Sequence, residues 1–152
     1  MTESTSRAVR FQRANFIVTD LNRALILYRD ILGLCVDFID DSESDSYSYP
    51  VFAIDKQAKL KFAVLSTRDQ PRVMALTEVR GIKITPQEHP RRAAIVLDIA
   101  DIDGVLADCN EHGFFTYPEE RLETHDGRIG REVGIVDDDG NLAVIYYIPP
   151  NS

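Results

Sequence analysis

The sequence has no apolar run near the roughly 18 residues that a membrane-spanning helix needs, and it has only two cysteines among 152 residues. The stretch MTESTSRAVR also lacks the apolar core of a secretory signal peptide, so we expect a cytoplasmic protein with no membrane partner. Cys35 and Cys109 form no CxxC pair, and we interpret both as buried free thiols.

Positive charge is also scarce, since the sequence has 17 Lys and Arg but 25 Asp and Glu, which gives a net charge of −8. Nucleic-acid affinity depends largely on Lys and Arg that neutralise phosphates, so we expect no nucleic-acid partner. The sequence contains no Ser-His-Asp, Cys-His or phosphate-loop motif. Its hydrophobic content of 44% is enough to bury the core of one compact unit.

One motif occurs twice, with an offset of about 80 residues. In the first copy, NFIVTDLNRALILYRDILGL, a strand leads to Asp20 as the N-cap of a helix with apolar residues at helical spacing, which ends at Gly33. In the second copy, AIVLDIADIDGVLADCNEHGF, Asp101 or Asp103 is the N-cap and Gly113 ends the helix. Each copy therefore predicts a strand followed by one helix.

Three strand-like runs separated by polar turns follow each helix. We predict them at residues 34–40, 48–54 and 60–65, and at residues 115–122, 131–136 and 142–148. Both halves thus follow a βαβββ pattern, which predicts modules at residues 9–66 and 91–149. Residues 67–90 contain four prolines or glycines that favour a linker, with at most one extra strand at residues 79–84, or a partner-binding arm.

The acidic segment DDDGNL could belong to a calcium loop or to a simple turn. If Gly140 is placed at position six of an EF-hand loop, the first and last ligand positions fall on Ile135 and Tyr146, which carry no carboxylate. The segment instead predicts a tight turn at Gly140 and Asn141 between the two strands of a hairpin.

The repeated βαβββ unit, with VTDLNRALILYRDILGL after its first strand and DDDGNL before its last, resembles the vicinal oxygen chelate (VOC) superfamily. This superfamily includes glyoxalases, bleomycin-resistance proteins and extradiol dioxygenases. The resemblance implies an α+β fold in which two βαβββ modules form one VOC domain, with curved, mostly antiparallel sheets that make a cup for a ligand. It also implies a homodimer, because many members complete or cover their cups with a second subunit.

In the metalloenzymes of this superfamily, His and Glu from the first and last strands of the modules hold a divalent metal in the cup. Those positions fall here on Arg13, Ala94 and Val144, and on or near Phe62. None of these side chains is an ordinary metal ligand, so we predict neither a metal nor another cofactor. We assign surface or capping positions to His89 and His112, and a position at the rim of the cup to His125.

Strand alternation identifies the side chains that point into the cup. If Phe16 and Val18 pack under the first helix, Arg13 and Asn15 face the other way, and the same rule applies to Asp98. An apolar, partly aromatic wall with a few polar groups is the usual composition of a small-molecule site. The predicted ligand-binding residues are Arg13, Asn15, Phe62, Asp98, Val144 and Tyr146. In the alternative interpretation, Arg13 and Asp98 form a structural ion pair or face solvent.

These residues favour a metal-independent small-molecule-binding protein, similar to the antibiotic-sequestering members, that buries an organic ligand in the sheet cup. The alternative is a glyoxalase-like lyase or isomerase, or a dioxygenase, acting on a small organic substrate. A metal-free enzyme would use Asp98, Glu132 or His125 as acid or base. A third class is a dimeric interaction module with a vestigial cup. The sequence identifies neither the ligand nor a catalytic residue.

Overall fold

The computed structural model describes residues 7–150. They form an α+β fold with two mixed β-sheets, and one helix packs against each sheet. None of the helices in this range has the length and apolar character needed to cross a membrane.

The first module contains sheet A, whose strand order is β1-β4-β3-β2. Strands β1 and β4 are parallel, and the other neighbours are antiparallel. Helix α1 is α-helical at first and continues as a π-helix before β2. The elements are β1 (Ala14–Val18), α1 (Leu21–Leu25, then π-helical over Ile26–Ile31), β2 (Cys35–Asp41), α2 (Ser48–Val51), β3 (Lys59–Ser66) and β4 (Met74–Arg80).

The second module contains sheet B, with strand order β5-β9-β8-β6 and with β7 also paired to β8. Only β5 and β9 are parallel in this sheet. In both sheets, therefore, the first strand lies beside the last one and parallel to it. The elements are β5 (Ala94–Asp98), α3 (Ile102–His112), β6 (Phe115–Thr116), β7 (Glu120–Glu123), β8 (Ile129–Val136) and β9 (Leu142–Tyr147). The predicted fold class is confirmed.

Both helices begin at the aspartates that the repeat predicts. The Asp20 carboxylate accepts a hydrogen bond of 3.1 Å from the backbone N–H of Arg23, and Asp101 accepts one of 3.0 Å from Gly104. These contacts satisfy N–H groups that have no partner within the helix. Helix α3 ends at Gly113, whose φ of 76° lies in the left-handed region that favours glycine.

One predicted strand in the first module is wrong, and one strand lies where a linker was predicted. Residues 48–54 contain helix α2 instead, because Pro50 lacks the N–H that a strand donates but fits the first turn of a helix. The last strand of sheet A is Met74–Arg80, inside the predicted linker. Its residues are buried up to Val79 because it lies between β1 and β3, so the first module extends beyond the predicted boundary at residue 66.

The core lies between the two sheets and contains the inner sides of α1 and α3. Sheet A contributes side chains such as Val18 and Leu76, and sheet B contributes side chains such as Ile135 and Ile145, all fully buried. Because side chains alternate along a strand, each sheet also has a face turned away from α1 and α3, which we call its open face. Cys109 is buried as predicted, but Cys35 is exposed, since it lies on the edge strand β2.

Candidate functional site

A cavity of about 700 Å³ lies on the open face of sheet A. Its volume is within the roughly 300–1,000 Å³ of typical ligand pockets. All four strands contribute to its floor, because the pairing aligns their outward residues in rows across the sheet. The floor residues are Asn15 of β1, Phe38 of β2, Phe62 and Val64 of β3, and Ala75 and Thr77 of β4.

An aromatic pair forms the apolar part of this floor. The rings of Phe38 and Phe62 meet edge to face, with centroids 5.9 Å apart and an interplanar angle of 82°. Phe38 reaches the open face because the register of β2 against β3 shifts between Val36 and Phe38. Without this bulge, Val36 and Phe38 would share the helix face, since residues two apart point the same way. Strand alternation alone therefore does not predict Phe38 in the cavity.

A buried amide forms the polar part of the floor. The Thr77 hydroxyl donates a hydrogen bond of 2.7 Å to Oδ1 of Asn15. The other amide atom, Nδ2 of Asn15, is buried and has no hydrogen-bond partner among the described residues. A buried donor without a partner costs about 1–3 kcal/mol, so a ligand acceptor that this amide turned to meet would recover part of that cost.

The six predicted binding residues are divided between the two sheets. Arg13, Asn15 and Phe62 line the cavity of sheet A. Asp98 and Tyr146 line a separate cavity of about 730 Å³ beside β5. Val144 lies opposite Val96 in sheet B and lines neither of these cavities. Within one chain the six residues therefore do not line one cup, because each module has its own sheet and its own open face.

The candidate acids and bases of an enzyme lie on sheet B. Asp98 is paired with Tyr146, and Tyr146 is paired with Glu132 across the next strand, so the three residues form one row. His125 lies in the turn between β7 and β8. His89 lies against Tyr117, with Nδ1 3.3 Å from the tyrosine hydroxyl, and does not join this row.

Strand pairing also corrects one of the positions that correspond to the metal ligands of the metalloenzymes. Val144 pairs with Val96, whose counterpart in the first copy of the repeat is Asn15, and Asn15 pairs with Ala75. The first-module counterpart of Val144 is therefore Ala75 rather than Phe62.

The four positions that hold the metal in the metalloenzymes thus carry Arg13, Ala75, Ala94 and Val144. A guanidinium and three alkyl side chains supply no ligand for a divalent cation. Within residues 7–150, no group of three or more His, Cys, Asp or Glu is placed to hold a metal ion. The residues at this site therefore do not fit the metal of the related enzymes.

The acidic turn after β8 has a structural role. Asp137 Oδ1 accepts 2.9 Å hydrogen bonds from the backbone N–H groups of Asp139 and Asn141, and Oδ2 accepts bonds from the Tyr28 hydroxyl at 2.9 Å and the Asn141 amide at 3.0 Å. Burial raises the pKa of Asp137 above its usual range, although these donors act in the opposite direction. Asp139 accepts two further bonds from Thr19. The turn therefore joins the second module to the first.

Two βαβββ modules with equivalent strand orders, and an open-faced cavity on one sheet, are the architecture of a VOC protein. The model of the glyoxalase/bleomycin resistance protein/dioxygenase superfamily matches residues 10–145, and the chain belongs to this superfamily. A search of curated proteins found no match.

Solved structures support the same fold. A glyoxalase family protein from Bacillus cereus has a TM-score of 0.69 at 14% identity, covering 98% of this chain and 100% of its own. The fosfomycin resistance protein FosX from Listeria monocytogenes, complexed with Mn(II) and sulfate, has a TM-score of 0.59 at 13% identity, covering 95% and 93%. Glyoxalase I from Leishmania major has a TM-score of 0.60 at 21% identity, covering 92% and 87%. Such identities establish the fold alone.

Proposed function

We propose that this chain is a metal-independent small-molecule-binding protein that buries an organic ligand in the cavity of sheet A. The observation that carries the proposal is the floor of that cavity, where an edge-to-face aromatic pair lies beside an amide with a free donor. Aromatic side chains supply most of the apolar area in binding sites, and a few polar groups fix the orientation of the ligand. The lack of metal ligands at the four equivalent positions favours binding that does not depend on a metal.

Burial of the aromatic pair provides an estimate of the affinity that is available. Phe38 is 41% exposed, so part of its ring is open to a ligand. Removing apolar surface from water contributes about 25 cal/mol per Å², and covering about 50 Å² of the floor would contribute about 1.3 kcal/mol. The ligand buries a similar area of its own. This gain is large enough to support micromolar binding only if polar contacts add to it.

We also propose that the protein is a homodimer in which a second subunit covers the cavity. The open face of sheet B supports this proposal, because it carries Val96, 61% exposed, next to Val144. The exposed Phe115 extends the same apolar surface through its contact with Tyr117. Such a dimer would bring the sheet B residues of one chain near the sheet A cavity of the other. Light scattering at micromolar concentration tests it, and a monomer would contradict it.

The binding proposal is tested by screening aromatic and amphipathic compounds for an increase in melting temperature. A ligand that binds only the native state raises stability in proportion to RT ln(1 + [L]/Kd). Phe62→Ala should reduce every such shift, because it removes half of the aromatic floor. Phe52→Ala is the matched control, since Phe52 is 41% exposed and lies outside the cavity lining. The proposal fails if no compound shifts the wild type, or if both variants respond alike.

A further inference from the structure

The charged residues around the cavity of sheet A are separated by sign. Arg13 and Arg72 line the end where β1 and β4 begin. The opposite corner, where β2 ends and its loop begins, is lined by acids: Asp40, Asp41, Glu43 and Asp45. The floor residues described above lie between the two ends.

Strand register sets the distance between the two ends. Asp40 pairs with Phe62, which pairs with Thr77, and Thr77 pairs with Ile17, four residues after Arg13. A rise of about 3.3 Å per residue and a strand spacing of about 4.8 Å place the Cα atoms of Arg13 and Asp40 about 15–20 Å apart. Because both side chains reach inward, ligand groups that contact them would be separated by about 10 Å.

The arginine end is positioned by neighbouring side chains. The guanidinium of Arg72 lies 5.9 Å from the centre of the Phe38 ring, and its Nε is 3.5 Å from a carboxylate oxygen of Asp37. The Phe38 ring therefore connects the positive end of the cavity to its apolar floor. A ligand that stacks on this floor would present one end to the arginines and the other to the acids.

We propose that the cavity takes an amphoteric aromatic ligand, with an anionic group such as a carboxylate at the arginine end and an ammonium group at the acidic end. This inference rests on the proposed binding function and adds the chemical class of the ligand. The net charge of −8 would attract any cation to the protein. A simple cation would not use the arginine end, so the presence of that end is the feature that favours an amphoteric ligand.

Four biphenyl probes of one size test this class. They are 4′-(aminomethyl)biphenyl-4-carboxylic acid, its two analogues with only the amine or only the acid, and neutral 4-(hydroxymethyl)biphenyl. Dissociation constants are measured by calorimetry on the full chain. Because each charged contact is partly exposed, we expect each end to improve affinity about 5-fold, so the amphoteric probe should bind tightest. Its advantage should shrink as ionic strength rises.

Charge-removing variants assign each end of the probe. Arg13→Gln should weaken only the two probes with a carboxylate, and Asp40→Asn should weaken only the two with an amine. Arg121→Gln and Asp108→Asn are matched controls, since both residues are exposed and lie outside this cavity. Melting temperatures of all variants show that they remain folded.

The outcomes separate the ligand class from the binding function. If the neutral probe binds and Phe62→Ala weakens it, but neither charged end adds affinity, the cavity stands and the amphoteric class is wrong. The class is also wrong if Arg13→Gln leaves carboxylate binding intact. If none of the four probes binds, both the class and the proposed function are contradicted.

Discussion

Tyr28→Phe tests whether the acidic turn stabilises the contact between the modules. The substitution removes one oxygen atom from a ring that is fully buried in the π-helical part of α1. That oxygen donates a 2.9 Å hydrogen bond to the carboxylate of Asp137 in the second module. Because the ring remains in place, the change leaves the apolar packing almost untouched and reports on this one bond.

The expected cost follows from the surroundings of Asp137. A hydrogen bond to a charged group contributes about 1.5–3 kcal/mol. Asp137 keeps donors from Asp139 and Asn141 after the substitution, so we expect the low end, about 1.5 kcal/mol. For a chain of this size, that loss lowers the melting temperature by about 3–6 °C.

Urea unfolding and thermal unfolding of the wild type and the variant measure this loss. Tyr47→Phe is the control for an exposed hydroxyl, because Tyr47 is 77% exposed, and it should change stability by less than about 0.5 kcal/mol. Tyr49→Phe is the control for a buried hydroxyl that donates to a backbone carbonyl, that of Ala58, and it should cost about 1 kcal/mol. A Tyr28→Phe variant as stable as Tyr47→Phe would refute the structural role of the turn.

Two further predictions concern pH and metals. Burial acts to raise the pKa of Glu78, but bonds from Arg80 and the backbone N–H of Leu21 outweigh it and hold that pKa below its usual value. The carboxylate therefore stabilises the fold above the unfolded pKa and loses this effect as pH falls through the folded one. In urea titrations, Glu78→Gln should be less stable than the wild type at pH 7, with a gap that closes in acid; a pH-independent gap would contradict this. For metals, a bound cation at 100 times its Kd would add about 2.7 kcal/mol to the free energy of unfolding. Calorimetric scans with Zn²⁺, Mn²⁺ or EDTA should show no such change. An EDTA-induced fall in melting temperature would overturn the metal-free proposal.

The sequence predicts those features of the fold that depend on neighbours along the chain. The N-caps at Asp20 and Asp101 and the stop at Gly113 are set by side chains and backbone angles within one helical turn. Strand alternation correctly places Asn15 on the open face of sheet A, where it lines the cavity together with Phe62. The lack of metal ligands at Arg13, Ala94 and Val144 is also visible in the residue types alone, whereas strand pairing was needed to identify Ala75.

Other features depend on partners that lie far away in sequence. Met74–Arg80 is a central strand because β1, some sixty residues earlier, pairs with it in parallel. A strand buried on both faces shows no clear alternation, and so the prolines and glycines around it favoured a linker in the sequence. The bulge that turns Phe38 toward the cavity likewise depends on the register of β2 against β3.

Sequence by itself thus determined the repeat, the superfamily and the side chains of β1 and β5 that leave the helix face. Tertiary structure decided which of those side chains meet: Arg13, Asn15 and Phe62 share a cavity, whereas Asp98 and Tyr146 line another. The physical reason is that periodicity fixes the direction of a side chain relative to its own strand. Which sheet that strand joins, and what lies opposite its open face, depends on long-range packing around the common core.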